Sequence, residues 1–427
     1  MHMLTRLSLA HVGPASALEV DLAPRLNLLT GDNGLGKSFL LDAAWWALTR
    51  KWPRELNAQL SSGYPALPAP EDRHRARIAF NVEGRRGAAE YVATFDAAQG
   101  AWRGKAGRPP NPGLVLYALV DGGFAVWDPA RNAWAKKGEE SGPGAYVFDP
   151  RQVWDGLTEG EAVLCNGLVR DWASWQRERG AAFEALCAVL RALSPSGGAL
   201  EPGALTRISL RDARDIPTLR QPSGQDIPIL HASAGVRRVV ALAYLLVWAW
   251  QEHVRASEFL GQPPSRGVVF LLDEVESHLH PRWQRCVLRS LLAAMEGITG
   301  EPEARVQVLA ATHAPLVLAS VEPWFDPAQD AWFDLDREAG EAVLRKRAWV
   351  RRGSAGSWLT SEAFDLGSDR SEEGEEAVLA AQRLLREGSA PLSEVMAVHE
   401  RLRQTLPDVD RFWVRWCAHV ERQGGTP

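Results

Sequence analysis

Apolar and polar residues alternate from Met3 to Asp21, as LTRLSLAHV and then SALEVDL, with Gly13-Pro14 between the two runs. Alternation broken by a turn pair predicts a hairpin. From Arg25 to Thr30 the chain is apolar at Leu26, Leu28 and Leu29 without alternation, which predicts a buried strand. A glycine loop follows, then a helix from Lys37 to Leu48. Lys51 to Pro70 is rich in Pro, Gly and Ser and reads as loop. Between Arg77 and Trp134 the runs RIAFNV, EYVATFD, GLVLYALV and FAVWD are separated by Gly-Arg-Arg-Gly, Gly-Arg-Pro-Pro-Asn-Pro and Asp-Gly-Gly turns. This pattern predicts one antiparallel sheet beside the glycine loop.

The pattern changes downstream. Tyr146 to Trp154 predicts a strand entering a turn, and Glu159 to Leu193 turns helical, with LCNGLVRDWASW and FEALCAVLRAL amphipathic. Thr206 to Ile229 predicts short strands and loops. Ser233 stands where an N-cap belongs, ahead of a long apolar helix containing VVALAYLLVWAW. Gly267 to Leu272 and Val306 to Thr312 predict buried strands, with a helix, RWQRCVLRSLLAAM, between them. AWFDLD and AVLRKRAWV predict two edge strands. A mostly helical tail, Thr360 to Gln423, includes an acidic helix start at Glu372 to Glu376, the sign favoured at that end. The expected fold is α/β: a mixed central sheet with an antiparallel β subdomain, a helical lobe and a helical C-terminal tail. The expected divisions are 1–150 for the glycine loop and β part, 151–230 for the lobe, 231–350 for the second half of the head and 351–427 for the tail.

Composition narrows the partners. The 427 residues are 46% hydrophobic and 24% charged, with a net charge of −5, so no global field draws the chain to nucleic acid or membrane. Any DNA contact must be local, at Arg73/Arg75/Arg77, Arg85/Arg86, Arg345/Lys346/Arg347 or Arg351/Arg352. Cys165, Cys187, Cys286 and Cys417 lack metal-ligand spacing, all fall in stretches that read as helix, and suit reduced thiols. The longest apolar run, Val239 to Trp250, is too short to span a bilayer, and no signal-peptide pattern precedes the first hairpin. A soluble cytoplasmic protein is expected. The 18 tryptophans are spread along the chain without a repeat, as packing residues are.

Chemistry is concentrated at four places. Gly31-Asp32-Asn33-Gly34-Leu35-Gly36-Lys37-Ser38, followed by Phe39, spells G-x-x-x-x-G-K-[ST], the P-loop pattern. Glycines let backbone N–H groups close around a phosphate, Lys37 reaches the β/γ-phosphates, and the Ser38 hydroxyl can ligate Mg²⁺. The helix from Lys37 adds its positive end. Gly267 to Leu272 delivers Asp273 and Glu274 at its C-terminal end, the Walker B arrangement. There Asp273 holds Mg²⁺ through water, and Glu274 orients or deprotonates the attacking water. The adjacent glutamate favours hydrolysis over transfer to a second substrate. His313 ends the next strand, where a polar group can sense the γ-phosphate. His278 and His280 have no third metal ligand in view and read as loop-structuring residues.

In this order, the P-loop, Ser-x-Gly before a long helix, Asp-Glu and then His resemble the ABC-type ATPases of the SMC/RecF branch. The resemblance rests on TGDNGLGKS, SAGVRR, LLDEVESHLHP and ATHAPLVLAS, and spans most of residues 1–350. LLDEVESHLHPRWQ is similar to the AAA-labelled subgroup in overcoming-lysogenization-defect nucleases and in Septu- and retron-associated (PtuA-like) defence ATPases. The resemblance implies a P-loop NTPase fold of the ABC-ATPase head type and a head-to-head homodimer with two composite ATP–Mg²⁺ sites. Gly31 to Ser38, Asp273, Glu274 and His313 would serve one ATP, and Ser233 and Gly235 of the other copy would cap its γ-phosphate. Gln152 would stand in the family's Q-loop. Ala234 and Val236 depart from the transporter-type signature, and no coiled-coil arm is present. The tail lacks the acidic-strand pattern of a Toprim nuclease, so a nuclease partner would be a separate chain.

Two functions follow. The first is an ATP-gated switch or scaffold of a bacterial anti-phage defence system that controls a separate effector such as a nuclease. The second is a RecF-like repair ATPase that clamps DNA directly through the basic clusters.

Overall fold

The computed structural model describes residues 3–84, 87–104, 111–135, 144–300, 305–388 and 390–426. The Arg85/Arg86 pair and most of the two turns expected around residues 84–87 and 107–112 lie outside them. The chain opens with β1 (Met3–Ala10), β2 (Ala17–Asp21) and β3 (Leu26–Gly31), then α1 (Lys37–Thr49) and a short α2 (Pro53–Leu56). β4 (Arg77–Gly84), β5 (Gly87–Asp96) and β6 (Ala101–Gly104) follow. Next come β7 (Leu114–Ala118), β8 (Phe124–Trp127), α3 (Pro129–Ala135), β9 (Tyr146–Phe148) and α4 (Gln152–Asp155).

The middle of the chain holds β10 (Leu157–Glu159), β11 (Ala162–Cys165), α5 (Leu168–Glu178), α6 (Ala181–Leu193), β12 (Glu201–Pro202), β13 (Thr218–Arg220) and β14 (Asp226–Pro228). The second half of the head is α7 (Ala234–Phe259), β15 (Gly267–Leu272), α8 (Pro281–Gln284), α9 (Val287–Thr299), β16 (Arg305–Ala311), α10 (Pro315–Val321), β17 (Asp330–Glu338) and β18 (Glu341–Arg347). The tail is α11 (Ala355–Leu359), α12 (Glu372–Glu387), α13 (Leu392–Thr405) and α14 (Phe412–Arg422).

Two sheets enclose the phosphate-loop helix. The eight-stranded sheet has the order β18-β17-β3-β16-β15-β7-β8-β9, parallel from β17 to β7 and antiparallel at both ends. The five-stranded sheet, β2-β1-β4-β5-β6, is antiparallel throughout. α1 shares one core with both: Leu41, Trp45 and Leu48 join Leu7, Ile78 and Phe80 of one sheet and Tyr117, Leu271 and Leu309 of the other. A helix covered on both sides has no polar face to spare, so FLLDAAWWAL is apolar nearly all round. Buried amides join the sheets where they meet. Gln307 accepts from the Leu4 N–H (3.2 Å) and donates to the Leu4 and Ala23 carbonyls (both 2.9 Å). Each amide is satisfied, as burial demands.

The α/β class, the mixed central sheet, the antiparallel subdomain and the helical C-terminal region are as expected. Several local expectations are not. GLVLYALV and FAVWD do not belong to the antiparallel subdomain: β7 pairs in parallel with β15, and β8 extends the central sheet. Leu114 to Tyr117 are all buried because both faces of that sheet are covered, so the run lacks alternation. Cys165 lies in the β10–β11 hairpin rather than in a helix, and Cys286 precedes α9 outside helical structure. The helix predicted over RWQRCVLRSLLAAM is two, α8 and α9. Of the two strands expected at an edge, β17 is interior, lying parallel to β3, and β18 is at the edge. The residues divide into two compact units, up to Gly353 and from Ser354 onward. The second has its own core, where Ala377, Leu384, Val395, Leu402, Trp416 and Val420 of α12, α13 and α14 pack together.

Candidate functional site

The parallel strands bring three of the motifs to one edge of the central sheet. β3, β16 and β15 run the same way, so the glycine loop, Thr312-His313 and Asp273-Glu274 all leave from their C-terminal ends. Open α/β sheets bind ligands at this edge. Gly31 closes β3 with φ +120, and a Cβ there would stand 2.0 Å from the Leu335 carbonyl oxygen, so no larger residue fits. Asp32, Asn33 and Gly34 are exposed at the mouth of the loop, while Leu35 anchors it in the core. Phe39 lies against Gly13 of the β1–β2 turn. A cleft of about 910 Å³ runs from Ser38, Phe39 and Asp42 to this turn and to residues 62–69. Its volume is at the upper end of the range for ligand pockets.

Lys37 is buried, and its ammonium donates to the carbonyls of Gly31 and Asp32, at 2.7 Å each. Burial lowers its pKa to about 8, although Asp273, Asp32, Glu274 and Glu276 all pull the other way. Opposite it, burial raises Asp273 to about 6, with a hydrogen bond from Ser38 and the charge of Lys37 opposing the rise. A hydroxyl and a carboxylate in contact at the head of a helix form the oxygen donor set that suits Mg²⁺, which keeps water and phosphate oxygens as its other ligands. Among the described residues, no group of three or more His, Cys, Asp and Glu forms a metal cage.

Glu274 adopts φ 47, in the left-handed region that a glutamate enters at a cost of about 1 kcal/mol or more. Its charge reaches both Lys37 and His313. Burial and the nearby Lys37 hold His313 below the usual histidine value, with Glu274 and Asp32 opposing them.

Two acids of the site were not singled out from the sequence. Glu276 accepts from the Thr312 hydroxyl (2.8 Å) and from the His313 N–H, joining the β15 loop to the β16 loop. A third acid in LLDEVES, facing a Thr-His pair on the neighbouring strand, was the available signal. Asp42 lies one turn along α1 from Ser38, and the Tyr117 hydroxyl donates to it (2.9 Å). Burial raises its pKa to about 8. A charged residue inside an otherwise apolar helix was the signal there.

The remaining predicted residues are placed as follows. Ser233 is exposed, caps α7 and accepts from the Val236 N–H at 3.5 Å. Gly235 packs on the loop after Glu274, where a Cβ would come within 2.6 Å of the His278 carbonyl oxygen. Gln152 accepts from Asn57 (2.6 Å) and from the Asp149 N–H (2.9 Å), neither of which belongs to the phosphate loop. His280 caps α8 by accepting from the Arg282 N–H.

A family model described as "AAA domain, putative AbiEii toxin, Type IV TA system" matches residues 204–319, and one described as "AAA domain" matches residues 6–108. A "Retron Vc95 probable ATPase" from Vibrio cholerae serotype O1 biovar El Tor is 29% identical over 99 residues. That match covers 23% of this chain and 17% of the relative, so the chain spans under a fifth of that protein's length. Among solved structures, the SMC head domain from Thermotoga maritima is similar at a TM-score of 0.41 and 16% identity, over 81% of this chain and 99% of that one. An Smc head domain with an extended coiled coil, bound to the C-terminal domain of ScpA derived from Pyrococcus furiosus, is similar at 0.42 and 12% identity, over 82% and 97%. The two segments that build the site, one with the phosphate loop and one with the strand-end carboxylates and His313, both match AAA-type ATPase domains.

Proposed function

We propose that this chain binds and hydrolyses ATP as a switch, forming a dimer across two composite sites and controlling a separate effector such as a nuclease in anti-phage defence. The observation that carries the ATPase reading is the junction of Ser38 with Asp273 beneath the buried Lys37, with Glu274 and His313 in the same electrostatic field. Lys37 neutralises the β/γ-phosphates, and Ser38 and Asp273 hold Mg²⁺. Glu274 orients and activates water, and His313 contacts the γ-phosphate. Gly31, Asp32, Asn33, Gly34, Leu35 and Gly36 wrap the phosphates with backbone N–H groups, and Phe39 fixes the loop against the first turn.

The dimer reading rests on Ser233. It is exposed at the N-terminus of a 26-residue helix, so a second copy's triphosphate can meet both its hydroxyl and the helix's positive end. Dimer affinity then depends on the γ-phosphate. Gln152, bonded to Asn57 and Asp149, would report nucleotide to the helical lobe only after exchanging those bonds. The defence reading draws on the retron ATPase match. The decisive experiment is native mass spectrometry of Glu274→Gln with and without ATP and Mg²⁺. An ATP-dependent dimer supports the proposal, and a monomer under both conditions removes it.

The DNA-clamp alternative has less support. Arg75 pairs with Asp72, Arg345 with Glu338 and Asp336, and Arg347 with Asp334, so three of the expected basic contacts already face a carboxylate. Salt-dependent, ATP-stimulated duplex binding would restore that alternative.

A further inference from the structure

Asp42 is the one charged residue between Ser38 and Arg50, on a helix buried against two sheets. It stands four positions after Ser38, so the two side chains share a face of α1. Helical side chains lean toward the helix N-terminus, which carries the Asp42 carboxylate toward the level of Ser38. Both residues line the cleft of about 910 Å³. One carboxylate oxygen takes the Tyr117 hydroxyl at 2.9 Å. The other has no partner among the described residues and is not sealed from solvent. Buried polar groups are normally paired, so a free oxygen on a residue that lines a cleft points to an occupant that donates to it.

The neighbours name the occupant. Tyr117 lies on β7 opposite Leu271 of β15, and the next residue, Ala118, takes the Asp273 N–H at 3.0 Å. The Asp42–Tyr117 pair is thereby tied to the strand end that carries Asp273, and Asp42 lies in the field of that carboxylate. Ser38 in turn donates to Asp273. Lys37 is spent elsewhere, on the carbonyls of Gly31 and Asp32. Oxygen donors and negative charge gathered in this way suit a cation, and a cation favours the ionised Asp42 that burial alone disfavours. Among the described residues no three acids, histidines or cysteines form a direct cage. Mg²⁺ fits such a site, because it is held by one or two carboxylates and keeps several waters. A carboxylate outside the direct ligand set meets that cation through one of those waters.

We infer that Asp42 is a positioning residue of the metal site: its free oxygen accepts a hydrogen bond from a water molecule retained by the Mg²⁺ that Ser38 and Asp273 hold, and Tyr117 sets the direction of the carboxylate. This role rests on the Ser38–Asp273 metal site of the ATPase reading and deepens it. A purely structural Asp42 would bear on nucleotide binding with and without metal alike, whereas this one acts only when Mg²⁺ is present.

The test measures the affinity of the full chain for the non-hydrolysable analogue AMP-PNP by calorimetry, in EDTA and in saturating MgCl₂. In Asp42→Asn the Tyr117 hydroxyl holds the amide oxygen, so an NH₂ donor takes the place of the free acceptor. This variant should bind about ten- to a hundredfold more weakly in Mg²⁺ and within about twofold of the parent in EDTA. Ser38→Ala is the reference for loss of the Mg²⁺ gain. If that gain is lost in Ser38→Ala but kept in Asp42→Asn, the role of Asp42 is overturned and the ATPase reading stands. Equal weakening of Asp42→Asn in both media makes Asp42 structural and also overturns the role. If Mg²⁺ gives the parent no gain, the metal site itself fails, and the role of Asp42 with it. Should Asp42→Asn not fold, Tyr117→Phe replaces it: this variant frees the carboxylate without removing it and should cost about threefold in Mg²⁺ alone. A parental Mg²⁺ gain there overturns the role.

Discussion

Glu276 and Thr312 are hydrogen-bonded at 2.8 Å, side chain to side chain, between loops that leave neighbouring parallel strands. Through the second carboxylate oxygen and the His313 N–H, this contact fixes where His313 stands relative to Glu274. Glu276→Ala should lower ATP turnover by about ten- to a hundredfold while changing nucleotide affinity little, because it disturbs a positioning contact rather than a phosphate contact. Glu276→Gln keeps an acceptor and should recover part of the rate. Steady-state kinetics with calorimetric binding would check both, and parental turnover in Glu276→Ala would refute the positioning role.

Lys37 has a pKa near 8 because burial outweighs its acidic neighbours. A triphosphate beside the ammonium raises that value, so at about pH 8 nucleotide binding should take up roughly half a proton. Calorimetry in two buffers of different ionisation enthalpy measures this uptake. Lys37→Ala should lose triphosphate binding altogether, and tight binding by that variant would show that the phosphates lie elsewhere.

Asp42 gives a stability signature. Its folded pKa, near 8, is above the unfolded value of about 4, so between them the folded state holds a proton that the unfolded chain has lost. Its contribution therefore worsens as pH rises through this window, by up to about 1.4 kcal/mol per unit, and levels off above the folded pKa. Asp42→Asn should remove that slope. Its stability relative to the parent should increase from about pH 5 to pH 8 in denaturant melts. Parallel curves would mean that Asp42 is ionised in the fold.

Ser233→Arg places a bulky cation at the exposed start of α7, where a second copy's nucleotide would have to approach. It should bind ATP as the parent does, yet fail to form the closed dimer and lose most turnover. Native mass spectra and a rate assay read both effects. Parental hydrolysis by this variant would exclude a composite site.

The sequence by itself determined the pieces that rest on local rules. A hairpin, a buried strand, a glycine loop and a helix follow from periodicity and from the few residues able to surround a phosphate, and in the structure Gly31 ends β3, residues 32–36 form the loop and Lys37 and Ser38 open α1 as those rules require. Ser233 as a cap and Asp273-Glu274 at a strand end were legible for the same reason, since caps and strand ends are read from adjacent residues.

Tertiary structure decided which strands share a sheet. A run such as LVLYA is apolar whether it lies in a hairpin sheet or between two parallel neighbours, and only the pairing of β7 with β15 settles which. It also decided that Glu276 reaches across to Thr312 and that Asp42 meets Tyr117, 75 positions away. Sequence spacing carries no record of such contacts, because they form when separate elements are packed against one another and their acids leave water together.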